Sequence, residues 1–272
     1  MANWRSVKRH DAADRWLFDG LDVSESAGGD VMIEVDMTAT NRLLKQLRER
    51  GQPVSYNHAI VRAAALALTR HPDLCVIVGG SRTATTDRVD IALPVAGSTL
   101  IAPVMVLEDA GRHTLLQLAD ETVRRVPEVL ARERRDLTLA RRFGWVIPFG
   151  FVRRALLRWL MSLLSVRRKV GTLLVTCVPN VDAAAAYVMF TSAVLGVGSV
   201  KDRVIAVDGL PCVRPTVRLH CTVNHRAWDG QRASAFLAEV RVILEQNQLA
   251  PEVGLTAPVA GMALPERAVL RS

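Results

Sequence analysis

Lysine is scarce in this 272-residue chain. Lys8, Lys45, Lys169 and Lys201 are the whole complement, so arginine supplies nearly all of the 35 basic residues. Genome composition can produce such a bias, and the formal net charge of +8 is therefore weak ground for a nucleic-acid partner. No nucleic-acid module or zinc-finger spacing is present, and a cofactor carrying nucleotide phosphates fits the charge equally well. The four cysteines, Cys75, Cys177, Cys212 and Cys221, show neither CxxC pairing nor metal-ligand spacing. That pattern points away from a bound metal and toward reduced core residues of a cytoplasmic protein. The opening "MANWRSVKRHDAADRW" has no apolar stretch of the kind a secretory signal needs. Internal repeats are also missing.

Half of the residues are hydrophobic and 23% are charged, enough apolar side chain for a substantial core. Strand and helix patterns alternate. "VMIEVDM" (31–37) alternates at period two and leads into a helix that Gly51 stops. Ser55 is placed to cap the next helix, whose unbroken small and apolar residues imply burial on more than one side. Strand-like runs follow at 74–78, 88–95 and 100–107, then a helix from about Thr114 that Pro127 is expected to kink or split. Later strands are read at 171–178, 186–197, 203–207 and 216–224, with Asp208 and Gly209 as a turn before the last. The reading is one domain over residues 1–250 and a loosely ordered tail, 251–272, which could equally drape over a neighbouring subunit.

Residues 141–169 break this pattern. The segment is strongly apolar but interrupted by Arg153, Arg154 and Arg158, charges that would fall in the middle of a spanning helix. Arg154, Arg158, Ser162 and Ser165 form a polar stripe opposite Trp159, Leu160, Leu163 and Leu164, which makes an amphipathic helix. Packing against the core or a neighbouring subunit is the first expectation. A membrane-surface helix or a lid over an acyl pocket is the second.

The chemistry centres on "CTVNHRAWDG" (221–230). Val217, Leu219, Cys221 and Val223 share one strand face, and His225 continues it, so a partly desolvated imidazole suited to base catalysis is expected there. Asp229 either caps the following helix or pairs with an arginine to brace the loop. On the motif alone, HxxxDG is short enough to be an ordinary turn histidine beside a helix cap.

The wider chain resembles the catalytic domain of the 2-oxoacid dehydrogenase acyltransferases, the E2 components, which share the fold of chloramphenicol acetyltransferase. "NHRAWDG" is similar to the family's DHRxxDG, with Asn224 in place of the usual aspartate. "IEVDMTATNRLLKQLRE", "SYNHAIVRAAALALTRHPDL", "GTLLVTCV" and "AVLGVGSVKDRVIAVDG" resemble its segments in the same order, over roughly residues 20–247.

The resemblance implies an α/β (α+β) two-layer sandwich, with a mixed central sheet and flanking helices. It implies that His225 is the general base toward an acceptor thiol or hydroxyl attacking a thioester. Thr176 would donate to the oxyanion. Asp229 would be mainly structural, holding the loop through an N-terminal arginine such as Arg15. A homotrimer, or a higher assembly of trimers, would place its sites between subunits, with coenzyme A or acyl-CoA as substrate. No lipoyl domain or lipoyl group is expected on this chain, so the acceptor is a small molecule or a group on a separate lipoyl or carrier protein. Asn224 and Trp228 are candidate substrate-binding residues, Trp228 either narrowing the channel or filling core. The segment 141–169 reads as an insertion, and "CVPNVDAAAAY" departs from the family's glycine-containing turn. A non-catalytic scaffold, peripheral to a membrane through 141–169, is the alternative.

Overall fold

The computed structural model describes residues 4–9, 28–97, 102–143, 149–186, 188 and 190–255. Two sheets organise them. The larger has the order β2(Gly28–Asp36), β10(Leu210–Asn224), β8(Ala193–Val197), β7(Leu173–Cys177), β5(Ile91–Pro94), β6(Val104–Leu107), with β9(Lys201–Val207) paired to β10. It is mixed. β7 runs parallel to β5 and β8, whereas β10 is antiparallel to β2, β8 and β9. The smaller sheet has the antiparallel order β1(Trp4–Arg9), β4(Arg82–Thr86), β3(Val76–Gly79).

Asp208 and Gly209 form the β9–β10 turn, both at positive φ (52° and 81°), the geometry that lets a two-residue loop follow the strands' right-handed twist. Beyond it β10 is long enough to pair first with β9 and then with β2 from Thr216 and with β8 from Leu219.

Four helices cover one face of the large sheet: α1(Thr38–Glu49), α2(Tyr56–Arg70), α3(Leu115–Phe143) and α6(Gly230–Glu245). α6 lies on β2, β10 and α2, burying Phe236, Leu237, Val240 and Leu244. α2 is buried from Ala59 through Ala65, on all sides as its sequence implied. Ser55 caps it. The hydroxyl accepts from the His58 amide at 3.4 Å, while His58 Nδ1 accepts from the Ser55 amide at 3.3 Å. Gly51, at φ 75°, ends the α1 segment.

Several sequence expectations are revised. α3 runs through Pro127 unbroken; Pro127 lies on the exposed side, where the carbonyl of Val123 that loses its partner can be hydrated. β4 is an additional short strand, and β8 begins only at Ala193. The chain before β8 is turned by Thr191, whose hydroxyl bonds to Ala193 O, and by Ser192, whose hydroxyl bonds to Val76 O. Segment 141–169 is not one helix. It contains the end of α3, then α4(Gly150–Ser162) and α5(Leu164–Arg168), broken at Leu163, whose backbone is extended (φ −81°, ψ 118°). The docked chain continues past 250 to Leu255. Glu252 accepts from Arg62 Nη2 at 2.6 Å and from the Leu115 amide at 3.1 Å, tying this stretch to α2 and α3.

Candidate functional site

β10 delivers the histidine. Its residues Val217, Leu219, Cys221 and Val223 are fully buried on the helix-covered face. The strand ends at Asn224, and residues 225–227 form a turn. Asn224 is the hub of that turn. Its amide donates to Ser192 O at 2.9 Å, and its carbonyl accepts from the Ala227 and Trp228 amides at 2.8 and 3.0 Å. Its side-chain Oδ1 accepts from the Arg226 amide at 3.0 Å and from Arg226 Nε at 3.4 Å. Asn224 thus shapes the loop with both its backbone and its side chain.

Two further residues fix the far end of the loop. Trp228, read from the sequence as either narrowing the channel or filling core, is fully buried. Its indole Nε1 donates to Leu74 O at 2.8 Å, and its ring meets Phe236 edge-on at 5.2 Å between centroids. A large apolar ring with its one donor satisfied is a core anchor. Asp229 is the N-cap of α6, its Oδ1 accepting from the Arg232 amide at 2.7 Å. Arg15, the suggested partner of Asp229, lies outside the described residues.

Between these fixed points His225 is exposed. The partial desolvation expected from strand alternation is not supplied by this chain, because the turn after Asn224 leaves the imidazole in solvent over β2, at the edge of the helix-covered face. It settles against Gly29. A Cβ on Gly29 would lie 2.9 Å from His225 Nε2 and 3.0 Å from Cε1, so only glycine leaves room for this ring position. Gly29 is a site residue that no motif marked; only the pairing of Gly28 with Asn224 across the sheet reveals it.

Thr176 occupies a different place. It lies on β7 directly across from Gly196 of β8, which lies across from His220 of β10. Leu173 and Val175 face the helices, so Thr176 faces the opposite side of the sheet, with Leu174. Its neighbour Cys177 takes the core side, where burial pushes the thiol up to about 11, leaving it a neutral thiol rather than a competing nucleophile. His220 precedes His225 by five residues, about 17 Å of extended chain, and β7 and β10 are two strand spacings apart, about 10 Å. One chain therefore keeps Thr176 and His225 roughly 20 Å apart and on opposite faces.

The face that bears Thr176 is only partly covered. Residues 182–184 cross it, and a Cβ at Gly196 or Gly198 would overlap the carbonyl oxygens of Ala184 and Asp182. This is the stretch "CVPNVDAAAAY". Farther along, Met32 is 54% exposed, and His220 Nε2 stands 3.5 Å from Asp30. On the other side of the His225 turn, Arg226 lies near Arg167, which is buried in α5. Its Nε donates to Val78 O at 2.9 Å and its guanidinium lies 5.9 Å from the Phe190 ring centre. Among the described residues no three His, Cys, Asp or Glu side chains converge as a metal site, and no helix is long and apolar enough to cross a membrane.

Comparison with known proteins agrees with this fold. The family model described as 2-oxoacid dehydrogenases acyltransferase (catalytic domain) matches residues 23–135 and 180–251, and leaves out 136–179, where Thr176, α4 and α5 lie. A curated relative, the dihydrolipoyllysine-residue succinyltransferase component of 2-oxoglutarate dehydrogenase complex 1 of Arabidopsis thaliana, is 24% identical over 79% of this chain and 42% of its own length. The chain thus spans less than half the length of that relative. Among solved structures, the dihydrolipoamide acetyltransferase of Azotobacter vinelandii superposes with a TM-score of 0.61, at 16% identity, over 87% of this chain and 86% of the other. A chloramphenicol acetyltransferase superposes with a TM-score of 0.53, at 15% identity, over 88% of this chain and all of the other.

Proposed function

The chain belongs to the 2-oxoacid dehydrogenases acyltransferase (catalytic domain) family, and from that premise we propose that it transfers an acyl group from a thioester, acyl-CoA first among them, to a thiol, hydroxyl or amine acceptor. His225 takes the proton of the acceptor as it attacks the thioester carbonyl. The tetrahedral oxyanion receives a hydrogen bond from Thr176 of a neighbouring copy. Collapse expels the coenzyme A thiolate, to which the His225 imidazolium returns the proton, so the base is regenerated with the acyl group on the acceptor.

The observation that carries this reading is the separation of the two groups. His225 is held by a loop pinned at Asn224, Trp228 and Asp229, and exposed where a partner can approach. Thr176 lies on the other face of the sheet. Completing the site takes a second chain, which fits a homotrimer or an assembly of trimers with the sites at subunit contacts. The same order of residues supports it. In the Azotobacter vinelandii acetyltransferase the catalytic mechanism was investigated through a serine, a histidine and an asparagine four residues past the histidine. Here a threonine, a histidine and an aspartate four residues on stand in that order. The acceptor is a small molecule or a lipoyl or carrier thiol on a separate protein.

A thiol-release assay with a panel of acyl-CoAs, succinyl-CoA included, and candidate acceptors tests the proposal. His225→Ala is expected to lower turnover by at least about 100-fold, and Thr176→Val to lower kcat by about 100-fold with little change in KM. Co-expressing the two variants restores activity in about a quarter of the sites when the chains mix evenly, because some contacts then join an intact His225 to an intact Thr176. Undiminished turnover by His225→Ala sinks the base assignment. Mixed assemblies no more active than either variant alone sink the two-chain site. An assembled protein silent toward every acyl-CoA is instead a scaffold.

A further inference from the structure

Residues 137–181 contain no aspartate or glutamate, yet hold eight arginines and lysines between Arg141 and Lys169. The formal net charge of the whole chain is also +8, so everything outside this stretch sums to zero. The stretch nearly coincides with residues 136–179, which the family match leaves out. The chain's formal net charge is therefore carried by this one stretch.

The structure shows how the helical part of that stretch is presented. α4 is rooted at its C-terminal end, where Ser162 and Leu164 pack on Gly79 of β3 and Arg167 bonds to Val78 O. The rest of the helix leaves an apolar line uncovered. Val152, Ala155, Leu156 and Trp159 follow the i, i+3, i+4, i+7 spacing of one face, and all are exposed, Trp159 at 59%. Phe149 and Phe151, at the start of the helix, are 62% and 65% exposed, with ring centres 5.8 Å apart. Of the apolar face read from the sequence, Trp159 is exposed, whereas Leu160, Leu163 and Leu164 are half-buried, Leu164 against Gly79.

We propose that α4 and its flanking cations dock the protein on an anionic lipid surface, with the helix lying in the plane of the headgroups. Thirteen residues of helix are about 20 Å long, short of the roughly 30 Å hydrocarbon layer, and Arg158 sits within them, so the helix lies on the bilayer rather than across it. Exposed phenylalanine, leucine and tryptophan enter the boundary between headgroups and acyl chains while arginines meet the lipid phosphates. Charge selects this occupant over a second copy, since pairing two copies through this stretch sets eight positive charges against eight more without one carboxylate between them. The proposal is independent of the acyl-transfer reading.

Vesicle co-sedimentation of the full chain tests it. Vesicles of phosphatidylcholine mixed with phosphatidylglycerol are expected to bind the protein, pure phosphatidylcholine vesicles to bind far less, and added salt to release it. Leu156→Asp with Trp159→Asp abolishes binding while the circular dichroism spectrum, assembly mass and acyl-transfer rate hold. Arg158→Ala with Lys169→Ala weakens binding on the order of tenfold. Failure of the intact protein to bind anionic vesicles overturns the proposal and leaves an acidic protein as the partner to seek. Equal binding by the Leu156→Asp, Trp159→Asp variant overturns it too. So does a fall in assembly mass in that variant, which makes α4 a contact between copies.

Discussion

Gly29 and His225 illustrate how much of a candidate catalytic position lies outside the motif that names it. The imidazole rests on a residue with no side chain, 196 positions earlier, and a methyl group there would press on Nε2 and Cε1. Gly29→Ala is expected to push the ring aside and lower kcat by about tenfold or more, with thermal stability little changed, because a small misplacement of a reacting group is costly to rate. Steady-state kinetics beside a melting curve check this; an unchanged kcat shows that the ring relocates freely. Trp228 and Asn224 show the opposite case. Both stand inside the motif, yet one is a core anchor and the other a loop hinge, since local sequence gives a residue's chemistry but not which neighbours enclose it.

At the scale of elements, hydrophobic period and cap chemistry carried most of the information. The buried faces of α2 and β10, the Ser55 cap, the Gly51 stop and the Asp208–Gly209 hairpin were all legible, because each is decided within a few residues. β4 was not. Its sequence, RTATT, is polar, and pairing with β1 and β3 rather than apolar alternation makes it a strand. Nor was the late start of β8, where the hydroxyl bonds of Thr191 and Ser192 turn the chain ahead of Ala193. The α2 cap gives a pH test. His58 Nδ1 must be unprotonated to accept from Ser55, and burial lowers its pKa below the ordinary 6.5. Folding thus favours the neutral ring. The contribution is complete above about pH 6.5 and is lost as pH falls through the lowered folded value. His58→Gln keeps an acceptor at this capping position without titrating, so the variant is expected to lose less stability than the parent between about pH 7 and 5. Urea titrations across that range measure it, and parallel slopes remove His58 as the cause.

For the whole molecule, alternation along a strand has the largest effect. The fold class and the collinear run of segments were readable from sequence, whereas the relation of Thr176 to His225 required the pairings β7–β8 and β8–β10 to be known. Under the proposed mechanism a lone chain, with its two groups on opposite sides of a sheet, is inert, and the quantity that governs turnover is the concentration of assembled copies. Specific activity is expected to fall on serial dilution, in step with the loss of assembly mass seen by light scattering, and activity that stays constant once the chain is monomeric contradicts the shared site. Mass action then becomes part of the enzymology: any surface that gathers copies raises the rate per molecule without altering a single active-site contact.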